Sequence, residues 1–344
     1  MKNIFLLLIV LLFACSENNS NLKFIQQSSL SDASFRGLSI VNENVAWVTG
    51  SKGTVLKTVD GGLNWQNVSP VQSKNIGFRD VHSWNHNEAI IMGIGSPAIF
   101  LKTVDGGKNW SEVYRNENPS VFFDSFEFWN DSSAVSFSDP INGRHFLIKT
   151  NNYGESWMPV DTNNIPKAYK GEAGFAASGT CIATIGDSLA WMVTGGSEAR
   201  VFYTENQGEL WLPAETPIIH GLNTTGIYSV SFLDENNGFI VGGDYTRDQE
   251  LNANAAISKD GGKTWELLKN KPKGFKSCVT FLSGNSQGVL VTGTSGTDIS
   301  YDFGNSWTQI DTTSFNTIGF AKNGTGWAVG DKGLIYKMIY KREK

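Results

Sequence analysis

Residues 57–65 read "KTVDGGLNW" and residues 102–110 read "KTVDGGKNW", the same phrase twice, 45 residues apart. Weaker copies follow: "KTNNYGESW" at 149–157, "YTENQGELW" at 203–211, "ISKDGGKTW" at 257–265 and "ISYDFGNSW" at 299–307. The closing tryptophans, Trp65, Trp110, Trp157, Trp211, Trp265 and Trp307, are spaced by 45, 47, 54, 54 and 42 residues. A period of roughly 40–50 residues is that of a β-propeller blade.

Each unit carries the same plan upstream of the phrase. The first reads "SFRGLSIV", "VAWVTG", "TVLKT" and "WQNVSP", separated by "NEN", "SKG" and "VDGGLN". Short runs rich in Val, Ile, Phe and Thr between Gly, Asn and Asp punctuation are strands and turns. No later stretch shows a sustained helical period. Six units end in the phrase. A seventh, "SFNTIGFAKNGTGWAVGDKGLIYKMIYK", has three strands and stops. "NLKFIQQSS", 21–29, has the length and pattern of the missing outer strand. The expectation is an all-β, seven-bladed propeller of four-stranded blades, one domain over residues 22–340, closed by pairing the N- and C-terminal strands, which leaves few open edges.

The phrase itself falls in the turn between the third and fourth strands. Glycine supplies positive φ there, Asp or Asn bonds the turn's own amides, and the Trp buries a large ring between sheets. It offers too few carboxylates for a hard cation, and six copies spread round a ring do not converge on one site. The phrase resembles the Asp-box, or BNR, repeat. Trp47, Trp191 and Trp327 in second strands, and Trp84 and Trp129 at the ends of first strands, read as core.

The beginning of the chain reads differently. Met1-Lys2 precede the apolar run "IFLLLIVLLFA", 4–14, which is too short to span a bilayer and reads as an export signal. It ends "LFAC", which looks like a lipobox and makes Cys15 the expected lipid acceptor. "SENNSN", 16–21, then reads as a polar tether. A lipoprotein of the cell envelope is expected, periplasmic or surface-exposed, with the membrane reached through the lipid alone. Cys181 and Cys278 lie in strand-like segments two blades apart and are expected as buried thiols. The chain is 40% apolar, enough for a core, and a net charge of −5 without a basic run excludes nucleic acid as a natural partner. A monomer is expected.

The candidate site comes from the repeat. In a propeller the first strands start, and the second strands end, on one face. The first strands begin at Arg36, Arg79, Asp124, Thr180, Tyr228, Ser277 and Asn316, all polar. Loops after the second strands add "SDPINGRH" at 138–145, "GGSEARV" at 195–201 and "GGDYTRDQELNANAA" at 242–256, with Asp139, Arg144, Arg200, Asp244, Tyr245 and Arg247. "GEAGFAASGT", 171–180, feeds the same face and adds Glu172. Five of the chain's seven arginines therefore map to one face. Arginine is suited to bidentate recognition of carboxylates and phosphates, so an anion is the expected ligand. His82 and His86 stand at a strand end and turn and form no metal motif. No Gly-x-Gly-x-x-Gly opens a helix, so no cofactor is expected.

"SFRGLSIV", "FRDV", "FFDSFEFW", "SDPINGR", "GEAGFAASGT", "ARVF", "GGDY" and "SGTDISYDFGNSW" together resemble the photosystem II stability/assembly-factor-like propellers, over about residues 35–336. The resemblance implies a seven-bladed factor that binds a precursor protein, with Arg36 and Arg79 as counterparts of an arginine patch. Two functions compete. One is a non-enzymatic, lipid-anchored propeller that binds a protein or an anionic, carboxylate-bearing ligand on its arginine-rich face. The other is a sialidase-type glycoside hydrolase or lyase, using Tyr228, Asp124 and Glu172 in the same pocket. Against the second, "SFRGL" lacks the Phe-Arg-Ile-Pro motif, and sialidases usually have six blades.

Overall fold

The computed structural model describes residues 21–341 apart from Gln72 and Ser286. Cys15, the export signal, all but the last residue of the tether, and Arg342 lie outside the described residues. Seven antiparallel sheets follow one another round a ring. Blade 1 comprises Phe35–Ile40, Ala46–Gly50, Val55–Thr58 and Gln66–Asn67, and blade 2 comprises Gly77–Ser83, Ala89–Ile94, Ala98–Thr103 and Ser111–Asn116. Blades 3 to 6 repeat the order from Phe123–Phe128, Ile182–Ile185, Thr225–Phe232 and Cys278–Phe281. Blade 7 holds Thr317–Phe320, Thr325–Val329 and Ile335–Tyr340, and its outer strand is Leu22–Gln27. That strand pairs antiparallel with Ile335–Tyr340, from Leu22 opposite Tyr340 to Gln27 opposite Ile335. The ring closes as the repeat predicts.

The phrase is a cap for its own turn. The Thr58 hydroxyl accepts from the Gly62 amide at 2.8 Å and donates to Asp60 Oδ1 at 2.9 Å. Asp60 Oδ1 accepts from the Asn64 amide at 2.9 Å, and Oδ2 accepts from the Asn64 side chain at 2.8 Å. Gly61 and Gly62 take φ of +71° and +84°, the left-handed region that glycine enters without penalty. The same hydroxyl recurs as Thr103, Thr150, Thr204, Ser258 and Ser300. Two copies use Asn152 and Asn206 in place of the acid. The turn therefore needs an acceptor rather than a charge.

The tryptophans weld neighbouring blades. Trp65 meets Trp327 of blade 7 edge-on at 6.4 Å, and Trp110 meets Trp47 of blade 1 at 6.3 Å. Trp47, Trp191 and Trp327 are buried, as is Trp129, while Trp84 keeps partial exposure and donates its indole N–H to the Asp131 carbonyl. Such edge-to-face pairs add roughly 0.5–1.5 kcal/mol to what burial gives. Cys181 and Cys278 are free, buried thiols.

Polar ties run between the first strands round the channel. Ser39 and Ser83 join hydroxyls at 2.9 Å, and Asp80 Oδ2 accepts from the Ser125 hydroxyl and the Phe126 amide at 2.8 and 3.0 Å. Asp80 is buried, and burial pushes its carboxyl up to about 8 in spite of these donors. Burial likewise takes Glu127 to about 7 and holds His82, whose ring lies tilted against Phe128 at 4.3 Å, down to about 4. Asp80 and Glu127 keep a proton in the fold that the unfolded chain releases near pH 4, so their stabilising contribution is full at low pH and is lost as pH rises through about 7 and 8. His82 has the opposite sign, and its effect ends near pH 6.5. Stability is therefore expected to fall from pH 6.5 to 8.5, by up to about 1.4 kcal/mol per pH unit for each proton involved, and the melting temperature with it. Asp80→Asn should flatten that slope; a wild-type melting temperature that rises over this interval would contradict the assignment.

Candidate functional site

Four site residues owe their aim to one irregularity. In blades 1, 2, 3 and 5 the first strand carries a β-bulge, and the extra residue is Arg36, Arg79, Asp124 or Tyr228. A bulged residue drops out of the ladder and its side chain is re-aimed. Before each bulge a buried Phe35, Phe78, Phe123 or Ile227 pins the strand to the core. Blades 6 and 7 use Ser277 and Asn316 at the same level as inter-blade ties. The Ser277 hydroxyl donates to the Asn316 carbonyl at 2.8 Å, and the Asn316 amide to the Phe35 carbonyl at 2.9 Å. Thr180 meets the Ser229 hydroxyl at 2.7 Å. The expected polar ring exists, but three of its members hold blades together.

A crosspiece runs over the channel mouth. Residues 172–180, which lead into blade 4, reach blades 1, 2, 3, 5 and 6. Arg36 Nη1 donates to the Ala177 carbonyl at 3.0 Å, and Arg79 Nη1 to the Ala176 carbonyl at a long 3.5 Å. The Gly174 amide donates to Asp139 Oδ1 at 2.9 Å. Phe175 stacks on Tyr228 with centroids 4.0 Å apart and planes 5° apart, and the Ser178 hydroxyl donates to the Ser277 carbonyl at 2.7 Å.

Beside the crosspiece lies a cavity of about 510 Å³. Its lining includes Arg36, Arg79 and Asp331 from blades 1, 2 and 7, and the rings of Phe175, Tyr228, Tyr245 and Phe275 from the crosspiece and the neighbourhood of blades 5 and 6. Tyr228 meets Phe275 edge-on at 4.6 Å, and Tyr245 stands 6.4 Å from both. Burial, then the neighbouring Arg36 charge, lower Arg79 to about 10, with Asp331 and Asp124 opposing. Arg36 is lowered by burial, opposed by Asp331. Asp331 lies below its ordinary range: burial is outweighed by bonds from the Ser34 hydroxyl and the Asn316 amide and by both arginines. Asp331 forms no close ion pair with either, and Asp124, the other carboxyl acting on Arg79, is pushed by burial toward its neutral form, so the two guanidiniums are left under-neutralised.

Other expected site residues are placed elsewhere. Arg200 and Glu172 are sealed in the interior and spent on each other: Nε and Nη2 donate to the two carboxylate oxygens at 3.0 and 2.6 Å, and neither reaches the cavity. This pair anchors an addition to blade 5, where Gly195–Gly196 and Glu172–Ala173 extend the sheet to six strands, a departure from the four-stranded plan. Arg144 donates to the Ile165 carbonyl, and Arg247 pairs with Asp244 and Glu250. Asp244 is buried and caps the short turn Tyr245–Arg247, accepting from the Thr246 amide at 3.0 Å. The Tyr228 hydroxyl donates to the Thr224 carbonyl at 3.0 Å, and burial pushes its ionisation far up. Asp124 is fully buried beneath Gly174, and burial raises its carboxyl, with Asp139 adding to the effect. The arginine-rich face thus narrows to one open pair. Sequence reading missed Phe175, Phe275 and Asp331. Phe175 stood in the quoted "GEAGFAASGT", and Asp331 in the "GDKG" turn of the short last unit. Among the described residues no cluster of His, Cys, Asp and Glu is suited to a metal.

Comparison with known proteins agrees with the fold. Residues 15–120 match the photosynthesis system II assembly factor YCF48 family, and residues 256–267 match the BNR/Asp-box repeat. A solved structure of YCF48 bound to D1 peptide superposes with a TM-score of 0.66 at 18% identity, covering 94% of this chain and 98% of that one. YCF48 from Cyanidioschyzon merolae gives 0.65 at 16% identity, covering 92% and 98%. A search of curated proteins gave no match. The chain is a seven-bladed Asp-box propeller with the fold of YCF48, and its first two blades carry the sequence pattern of that assembly-factor family.

Proposed function

We propose that the protein is a non-enzymatic binding propeller that holds a polypeptide partner by a carboxylate placed between Arg36 and Arg79. The observation that carries this reading is an under-neutralised arginine pair and a cluster of aromatic rings lining one cavity. A carboxylate neutralises the excess charge through charge-assisted bonds, and the rings of Phe175, Tyr228, Tyr245 and Phe275 take an apolar side chain beside it. The similar YCF48 structure was solved with a D1 peptide, which supports a polypeptide as partner. Short peptides with an aromatic last residue, offered as free acid or as amide, test the reading by calorimetry. The acid is expected to bind and the amide to bind much more weakly; equal binding would overturn it.

The hydrolase reading lacks an assembled centre. Tyr228 O–H is engaged by Thr224, Glu172 by Arg200, and Asp124 is covered by the crosspiece. Turnover of a fluorogenic sialoside by the wild type would reinstate it.

The proposal includes an envelope location for a monomer tethered through Cys15, supported by "LFAC" after the apolar run. Cys15→Ser is expected to abolish lipid labelling and to move the protein from the membrane to the soluble fraction. Retained labelling would exclude Cys15 as acceptor.

A further inference from the structure

The crosspiece is firm at its ends and weakly held in the middle. At the start, the Glu172 carboxylate accepts from Arg200 at 3.0 and 2.6 Å, from the Thr194 hydroxyl at 2.8 Å and from the Tyr169 amide at 2.9 Å. At the end, the Ser178 hydroxyl is bonded to the Ser277 carbonyl and Thr180 to Ser229, both at 2.7 Å. Between them, Gly174-Phe175-Ala176-Ala177 spans the mouth on one amide bond to Asp139, the Phe175 ring, which stacks on Tyr228 and lies against Gly195 and Gly226, and two neutral carbonyls set against the arginines, with the Ala177 amide turned back onto the Phe175 carbonyl at 2.7 Å.

Beneath this arch lie polar atoms without partners. Both Asp124 carboxylate oxygens and Arg79 Nε are buried and make no hydrogen bond, although Asp124 and Arg79 feel each other's charge. The Ala176 amide approaches Asp124 without reaching bonding geometry. A buried, unpaired polar group carries a desolvation cost, so a native structure that keeps several calls for an explanation. A closed arrangement with this cost, held by weak central ties between fixed ends, has the form of one state of a two-state element.

We propose that residues 174–177 are an internal competitor for the arginine pair. Their Ala176 and Ala177 carbonyls occupy the Nη groups until a partner's carboxylate displaces them, and release lets Arg79 Nε, unpartnered in the closed state, donate to Asp124 while the Nη groups hold that carboxylate. The inference rests on the carboxylate reading above. A carboxylate outcompetes a neutral carbonyl for a guanidinium because the charge-assisted bond is roughly twice as strong. The small side chains at 174, 176 and 177 let the backbone lie close over the mouth in the closed state.

Hydrogen–deuterium exchange over residues 174–177 in the full protein tests this, with N-acetylphenylalanine as probe and its amide as control. A Cβ on Gly174 would meet Asp124 Oδ2 at 2.3 Å and the Phe137 ring at 2.9 Å, and Gly174 lies outside the positive-φ region, so Gly174→Ala opposes closure without backbone strain. It is expected to exchange roughly 10-fold faster than wild type without ligand, and to bind the acid more tightly. Asp124→Asn keeps the shape but cannot form an ion pair with Arg79 on release; it should slow exchange and weaken binding. Should Gly174→Ala fail to melt cooperatively, Phe175→Ala, which removes the stack on Tyr228, carries the same expectation for exchange. In the wild type the acid should accelerate exchange and the amide should not. If the acid binds but exchange over 174–177 is unchanged or slowed, the crosspiece is a fixed floor and the proposal fails while the carboxylate reading stands. If acid and amide bind alike, the carboxylate reading fails and the competitor fails with it.

Discussion

Arg36→Ala and Arg79→Ala are each expected to weaken capture of a free-acid peptide by about 10-fold to over 100-fold, since a hydrogen bond to a charged partner is worth roughly 1.5–3 kcal/mol. Both guanidiniums line the cavity, and each gives only one hydrogen bond to the protein, to the carbonyl of Ala177 or Ala176. Their removal should therefore leave the melting temperature nearly unchanged. Arg79 titrates near 10, so it stays charged at neutral pH and the loss should appear there in full. Arg115 is the control. It is exposed at the rim of blade 2, paired with Glu112 and Glu117, and exposed pairs contribute little. Calorimetry on the acid peptide and thermal melts together separate the outcomes. Unfolding of the variants would make the arginines structural ties; unchanged binding would make them channel lining.

Removing residues 21–29 is expected to lower the melting temperature by roughly 10 °C or more and to promote aggregation, because it strips the outer strand from blade 7 and exposes an edge. The backbone ladder, the Ser29 hydroxyl bond to the Gly333 carbonyl and several side-chain contacts are lost with it. Leu22 is buried, which for such a side chain is worth roughly 1.5–3 kcal/mol, and the half-buried Phe24 stacks on Phe315 at 5.9 Å. Gln27 bridges the seam: its Oε1 accepts from the indoles of Trp65 and Trp327 at 3.1 and 3.0 Å, and its Nε2 donates to the Gly61 carbonyl at 3.3 Å. One side chain thus ties the last blade to the first Asp-box turn. Gln27→Ala should reproduce a smaller part of the loss. A truncated protein that melts like the full chain would show that the ring does not depend on this strand.

The architecture was legible in the sequence because each of its causes is local. A hydroxyl, an acid or amide, a glycine and a tryptophan at fixed offsets specify one turn and one wedge, and six copies fix the period. The seventh blade could be deduced from the chain itself, since an unpaired third strand at one end and a spare strand at the other satisfy each other's backbone groups. Arg36 and Arg79 were legible for the same reason, each standing at the same place in its repeat. Only the tertiary structure decided which polar residues stay open to a ligand. Arg200 and Glu172, read as site residues, found each other across 28 positions and closed into a buried pair. Asp124 was placed at the right level but under a crosspiece whose path no period predicts. Phe175 and Phe275 come from connections without repeat grammar, and Asp331 stands where the matching turn of blade 1 has Ser51; they share a cavity only because the closed ring carries those connections to the same mouth. Repetition fixes what each blade does to its neighbour. The departures from repetition meet in the middle of the ring, and their partners are set by distance in space rather than along the chain.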